Sequence, residues 1–178
     1  GARRHAERRD GASRSRPPVI ELPGEWVFAA ALADTDPNAD GYTDRILRDG
    51  DASAATLRQL RAARGRADEF LQWCVSEVVA VRPRVVGFTS VFQQHVASLA
   101  LARRLKQALP DTFIVFGGAN CEGVMGAEPL RQFPFVDAVV SGEGDVVFPD
   151  LVRRVLASTP LDDLTGVRTR RSIHREFA

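Results

Sequence analysis

The sequence predicts an α/β domain built on a parallel sheet, and three observations predict it. Three short apolar runs, VVGFTS (85–90), FIVFGGAN (113–120) and DAVVSGEGD (137–145), each end in a small or polar turn. Helix-period patterns follow the first run and the third. The step from Val85 to Phe113 has room for one strand–helix–strand crossover, which is right-handed in parallel sheets. The strand cores are short and apolar, as expected of strands covered on both faces.

Taken in order, residues 1–18 read as a disordered Arg-rich tail ending in Pro17-Pro18. VIEL and GEWVFAAAL occupy 19–32, and the second is a short amphipathic helix with Trp26, Val27 and Ala30 on one side. Asp34 to Asp51 is an acidic loop without the D-x-D-x-D-G order of a calcium loop. A helical zone runs from about Ser53 to Val81, broken near Gly65 and stopped by Pro83. Its second half carries Ala67, Phe70, Leu71, Cys74, Val75 and Val78 on one stripe. After the strand at 85–88, a helix over about 94–109 turns Ala97, Leu101, Leu105 and Ala108 inward and Arg103, Arg104 and Gln107 outward.

The strand at 113–116 leads into Gly117-Gly118 and an irregular connection with a weak helix around Glu128–Gln132. The strand at 138–140 leads into Gly142-Glu143-Gly144. The last helix turns Phe148, Leu151, Val152, Val155 and Leu156 inward, and its Pro149 is tolerated in a first turn. LDDLTGVR (161–168) reads as a short edge segment, and 169–178 as a basic tail. The folded domain is therefore placed at 19–168, and no repeat divides it.

Composition excludes several function classes. The chain has 178 residues, enough for one cored domain, and a formal net charge of +1. Its charge offers no drive toward nucleic acid or membrane, and neither Arg-rich end interleaves aromatics. No apolar run reaches the roughly 20 residues of a membrane span, and no secretory h-region follows the basic start. A cytoplasmic location is expected. Cys74 and Cys121 are the only cysteines and form no Cys-x-x-Cys pair, so no disulfide framework, zinc site or iron–sulfur cluster is expected. Cys74 reads as core, and Cys121, after a glycine turn, as the more exposed of the two.

The chemistry is expected at the carboxyl ends of the strands, where open α/β sheets bind ligands. Thr89 and Ser90 end one strand, and their hydroxyls and following amides can hold a phosphate or amide group. Gly117 and Gly118 let a bulky ligand approach the backbone, as do Gly142 and Gly144, with Glu143 between them as an acceptor. Thr-Ser also caps helices and glycine pairs also make plain turns, so each motif alone has two readings. Together they predict one cleft. His95, beside Gln93 and Gln94, reads as a surface histidine. Ser90 lacks a Gly-x-Ser-x-Gly setting, and Glu143 and Asp145 have no acid across a cleft, so no catalytic residue is assigned.

The stretches GEWVFAAAL, VVGFTSVFQQHVASLALARRLKQ and FIVFGGANCEGVMGAEPLRQFPFVDAVVSGEGDVVFPDLV resemble the cobalamin-binding region of cobalamin-dependent radical S-adenosylmethionine enzymes. The resemblance covers about residues 24–168 and is strongest at GGANCEG and SGEGD. Within that family it is closest to maturases that methylate ribosomally made peptides. It implies a flavodoxin-like (Rossmann-type) sheet flanked by helices. It also implies cobalamin as cofactor, with Thr89, Ser90, Gly117, Gly118 and Ala119 along the corrin or its nucleotide tail. Gly142, Glu143 and Gly144 would stand at the corrin edge. No Asp-x-His-x-x-Gly is present, so no lower histidine ligand is implied, and no metal-ligating side chain is assigned.

That family's leading strand has no counterpart before GEWVFA, and its Cys-x-x-x-Cys-x-x-Cys barrel is not in this sequence. The chain is expected to be a detached or truncated cofactor domain without its first strand. It would not be catalytic alone, and would work with a radical S-adenosylmethionine domain or subunit and a precursor peptide. Two other readings stay open: a nucleotide- or sugar-binding half of a transferase, and a non-catalytic α/β interaction module.

Overall fold

The computed structural model describes residues 22–33, 41–42 and 53–173. The Arg-rich start, residues 19–21, most of the acidic loop and the chain from His174 lie outside the described residues. The elements are α1 (Pro23–Ala33), α2 (Ala54–Gly65), α3 (Ala67–Val81), β1 (Val85–Thr89), α4 (His95–Ala108), β2 (Phe113–Gly117), α5 (Gly123–Gln132), β3 (Ala138–Val140), α6 (Gly144–Leu156) and β4 (Val167–Thr169). Short 3-10 turns at Phe92–Gln94 and Ala119–Cys121 precede α4 and α5.

The sheet order is β1-β2-β3-β4. β1 runs parallel to β2 in the register Val85↔Phe113 to Thr89↔Gly117. β2 runs parallel to β3, with Val115 opposite Ala138. The expected edge segment is β4, antiparallel to β3, with Val140 opposite Val167. This is a flavodoxin-like α/β architecture, and the three expected parallel strands are all present. Among the described residues β1 forms one edge of the sheet.

Strand alternation sorts the core into two layers. Ile114, Phe116 and Val139 point to one face and pack with Val75, Leu99, Ala102, Leu105 and Leu130 from α3, α4 and α5. Phe116 stacks on Phe88 with ring centroids 4.9 Å apart. Val115, Ala138 and Val140 point to the other face and meet Leu151 of α6, Leu161 and Val167. A further layer, α1, lies on α4 through Ala31, Leu71 and Ala100.

Local chemistry sets the helix ends. The Ser53 hydroxyl accepts the Thr56 amide 3.1 Å away and caps α2. Arg82 ends α3 in the left-handed region, at φ 50° and ψ 55°, just before Pro83. The start of α4 is capped from a distance. The Glu25 carboxylate on α1 accepts the amides of His95 (3.0 Å) and Val96 (2.7 Å). That one side chain satisfies two free helix donors and anchors α1 to α4.

Several sequence expectations shift. In α4 the buried residues are Leu99, Ala100, Ala102 and Leu105, while Ala97 and Leu101 are half-buried and Ala108 is exposed. The helix lies between the sheet on one side and α1 with α3 on the other, so its buried arc is wider than one stripe. In α1 the buried set is Trp26, Val27 and Ala31. Phe70 is exposed, because the buried line of α3 is Ala67, Leu71 and Val75. In α6 Leu151 is fully buried while Phe148 and Leu156 keep 38 % and 43 % of their surface exposed. The two cysteines exchange roles: Cys74 is partly exposed and Cys121 is buried, packed under α5. The weak helix at 128–132 is the second half of α5, which begins at Gly123. Packing also continues past 168. Arg170 donates to the carbonyls of Leu130 (3.1 Å), Phe133 (2.7 Å) and Val136 (2.9 Å), and Ser172 is buried.

Candidate functional site

The parallel strands β1, β2 and β3 bring their carboxyl ends to one end of the sheet, and a cleft of about 840 Å³ opens there. It is lined by Gly87, Phe88 and Thr89 of β1, by Val115 to Gly118 at the end of β2, and by Val140, Gly142, Gly144, Asp145, Phe148 and Pro149. Its size falls in the upper part of the ~300–1,000 Å³ range usual for small-molecule sites. Of the residues expected from the sequence, Thr89, Gly117, Gly118, Gly142 and Gly144 share this one cleft. Ser90, Ala119 and Glu143 stand beside it without lining it.

Ser90 lies behind the wall and is fully buried. Its amide donates to the Gly117 carbonyl (2.7 Å) and its carbonyl accepts the Asn120 amide (3.1 Å). Its hydroxyl meets His95 Nδ1 at 2.9 Å and accepts from Asn120 Nδ2 at 3.1 Å. Asn120 Nδ2 also donates to the Phe92 carbonyl at 3.0 Å. Ser90 therefore ties the loop after β1 to the loop after β2. Ala119 and Glu143 are exposed.

The glycines divide by what surrounds them. Gly118 has φ +91°, and a Cβ there would lie 2.8 Å from the Ser90 carbonyl oxygen. Its lack of a side chain is required by the fold itself. Gly142 also has positive φ, +87°, but a Cβ would meet nothing within 4 Å, and the same open space surrounds Gly144. These two leave room on the ligand side. Gly87 makes room for a neighbour, since a Cβ there would touch the Phe148 ring at 3.4 Å.

Sequence reasoning missed two side chains that shape the site. The Glu122 carboxylate accepts the Gly142 amide (3.0 Å) through Oε1 and the Ser141 hydroxyl (3.1 Å) through Oε2. The Ser141 hydroxyl in turn accepts the Gly123 amide at 3.0 Å. Glu122 thus holds the 142–144 turn against the start of α5. Its motif, GGANCEG, was visible, but its contact lies 20 residues away. Phe148 follows the helical period toward the core, yet it forms an aromatic wall of the cleft because Gly87 lets its ring rest on β1.

His95 is not the surface group expected. It is partly buried, packed edge-on to Phe116 at 6.2 Å and bonded to Ser90. Burial pulls its pKa below the ordinary 6.5, against a smaller opposing pull from Glu25. It lies on the α4 side and does not line the cleft. Burial pushes the Cys121 thiol up to about 11, so it is poorly suited as a nucleophile. Among the described residues no group of three or more His, Cys, Asp or Glu is placed to hold a metal ion.

Exposed apolar side chains stand at the same end of the sheet as the cleft. Phe92 is 88 % exposed after β1, Val124 is 82 % exposed at the start of α5, and Val146 is 83 % exposed in the first turn of α6. Met125 beside Val124 is also exposed. All of them follow parallel strands, so they belong to the same end of the sheet. Among the described residues no helix is long and apolar enough to cross a membrane.

No protein-family profile and no solved structure matches the chain. It is 28% identical over 137 residues to an anaerobic magnesium-protoporphyrin IX monomethyl ester cyclase of Rubrivivax gelatinosus, covering 76% of this chain and 22% of that protein. It is 28% identical over 85 residues to an uncharacterized methyltransferase of Pyrococcus horikoshii, covering 48% of this chain and 18% of that protein. The chain thus spans about a fifth of the length of these two relatives. It is an α/β module distantly similar to segments of one protein named as a cyclase and one named as a methyltransferase.

Proposed function

We propose that this chain is the cobalamin-binding module of a radical S-adenosylmethionine methyltransferase, acting with a separate catalytic domain or subunit. The observation that carries the reading is the glycine-walled cleft at the carboxyl ends of β1, β2 and β3, built from the motifs on which the resemblance rests. The two relatives carry different named activities, a cyclase and a methyltransferase, which supports a shared module rather than a shared substrate. A peptide as final methyl acceptor rests on the sequence resemblance.

The lining residues fit the group. The open space at Gly142 and Gly144 admits a large ring to the backbone, and Phe148 and Val140 supply apolar walls. Thr89 and the backbone of 117–118 supply polar contacts. A bound cobalamin supplies a transferable methyl group; the chain's own part is to bind and orient it and to shield one side from water. His95 is engaged with Ser90 behind the wall, so no histidine of the described residues is offered to the cleft. The exposed Phe92, Val124, Met125 and Val146 at this end of the sheet support a protein partner that closes over the ligand.

Titrating cob(III)alamin into the purified chain and recording the visible spectrum tests the reading. A base-off spectrum that saturates with protein is expected. No spectral change at millimolar protein, or a histidine-ligated spectrum, overturns it. The nucleotide-binding alternative is disfavoured because no Lys or Arg of the described residues lines the cleft.

A further inference from the structure

We infer that Asp145 selects the ligand group that meets the start of α6 in this cleft, admitting neutral groups that carry N–H or O–H donors there and rejecting phosphate and carboxylate. The inference rests on the proposed site but not on cobalamin being its occupant. Asp145 is the single ionisable side chain among the described residues that line the cleft, and it is exposed there. It occupies the first turn of α6, whose start carries no side-chain cap. An uncapped helix start attracts an anion, because its amides and dipole present positive charge. The Asp145 carboxylate answers that charge from within the chain.

Two further features point the same way. Glu122 already takes the Gly142 amide, so the glycine turn beside α6 has lost a donor that a phosphate would use. The remaining lining consists of glycine backbone, the Thr89 hydroxyl and apolar side chains, with no cation to offset a ligand's negative charge. An arriving phosphate would face a like-charged carboxylate with no cation beside it. A carboxamide or hydroxyl would instead donate to it, in a charge-assisted hydrogen bond. Primary amides, as on the periphery of a corrin ring, belong to the admitted class, and the phosphodiester of a cobalamin nucleotide tail is then placed toward Thr89 and Gly118, away from the start of α6.

The test compares wild type with Asp145→Asn, each checked for native far-UV circular dichroism. Four probes are titrated: cob(III)alamin, a derivative with its amide side chains hydrolysed to carboxylates, adenosine, and ATP. Wild type is expected to prefer cobalamin over the hydrolysed form by at least about tenfold, the scale of one charged hydrogen bond. Asp145→Asn is expected to shrink that preference severalfold, chiefly by binding the anionic form more tightly. An unchanged ratio in a folded variant overturns the inference. If cobalamin fails to bind, the proposed function falls alone, and the adenosine-to-ATP ratio decides Asp145 by the same criterion. Binding of none of the four probes by either form overturns both.

Discussion

The two ends of this sheet are built on opposite plans. At the amino ends of the strands, polar side chains tie the connecting segments together. Lys106 reaches from α4 to Asp137 (2.7 Å) and to the Thr112 carbonyl (2.8 Å). Asp137 also accepts the Ile114 amide at 2.7 Å, and the Thr112 hydroxyl donates to the Pro83 carbonyl at 2.8 Å. Arg84 and Arg170 cover carbonyls at the ends of α6 and α5. At the carboxyl ends the chain uses glycine, leaves a cleft and exposes Phe92, Val124 and Val146. Polar satisfaction marks the end that only needs stability. Open backbone and exposed apolar groups mark the end to which the proposed ligand and partner are assigned.

The comparison breaks most easily within the open end itself, because its glycines are not equivalent. Gly118→Ala is expected to lower stability by about 3 kcal/mol, from left-handed strain plus a clash with the Ser90 carbonyl. Gly144→Ala is expected to change stability by no more than about 0.5 kcal/mol, since nothing lies near the added methyl. Urea unfolding of both variants measures the difference. Equal losses would mean that the open end is as tightly built as the closed one. Gly118 is therefore a poor probe of ligand binding, whatever residue replaces it.

The closed end gives the next largest effect. Asp137→Ala removes the partner of Lys106 and the acceptor of the Ile114 amide, and is expected to cost about 2 kcal/mol. Cobalamin affinity of the folded variant is expected to stay within about twofold of wild type, since the residue is at the opposite end of the strands. Gly144→Phe should show the reverse: near-native stability, and at least about tenfold weaker binding because the ring fills the cleft. A stability loss from Gly144→Phe larger than that from Asp137→Ala would reverse the assignment of the two ends.

How far the sequence alone reached follows from which interactions are local. The strands Val85–Thr89, Phe113–Gly117 and Ala138–Val140 were legible, because apolar runs punctuated by glycine and flanked by helical periods have few other solutions. The shared cleft was legible too, because parallel strands place their carboxyl ends together by topology. What escaped was set by distant partners. Phe70 and Phe148 follow the right period but are exposed, because helix burial depends on neighbours that periodicity does not name. Ser90 looked like a ligand contact, yet it is enclosed by Gly117, Asn120 and His95. Cys121 looked open after its glycine turn, yet α5 covers it, and that helix was hidden by the four glycines in GGANCEGVMG that precede its stronger half. Glu122 and Glu25 gave no signal, because their acceptors serve amides 20 and 70 residues away.

The smallest expected effect lies where the two plans meet, at His95. Its imidazole packs on Phe116 like a core group, while its Nδ1 holds Ser90 and so the loops of the cleft. Burial lowers its pKa in the folded chain below the ordinary 6.5, so the neutral form is favoured there. Between the two values the unfolded chain binds more protons than the folded one, and stability rises with pH. The contribution of His95 is therefore complete above about pH 7. It is lost as pH falls through 6.5 toward the lower folded value. Melting temperatures of wild type and His95→Gln between pH 7.5 and 5 isolate the effect, since the carboxylates are common to both. The wild-type curve should fall more steeply below pH 6.5, and cleft affinity should weaken over the same range as Ser90 loses its neutral partner. Parallel curves for the two proteins would show that His95 is wetter than its packing implies, and that the loops of the open end stand without it.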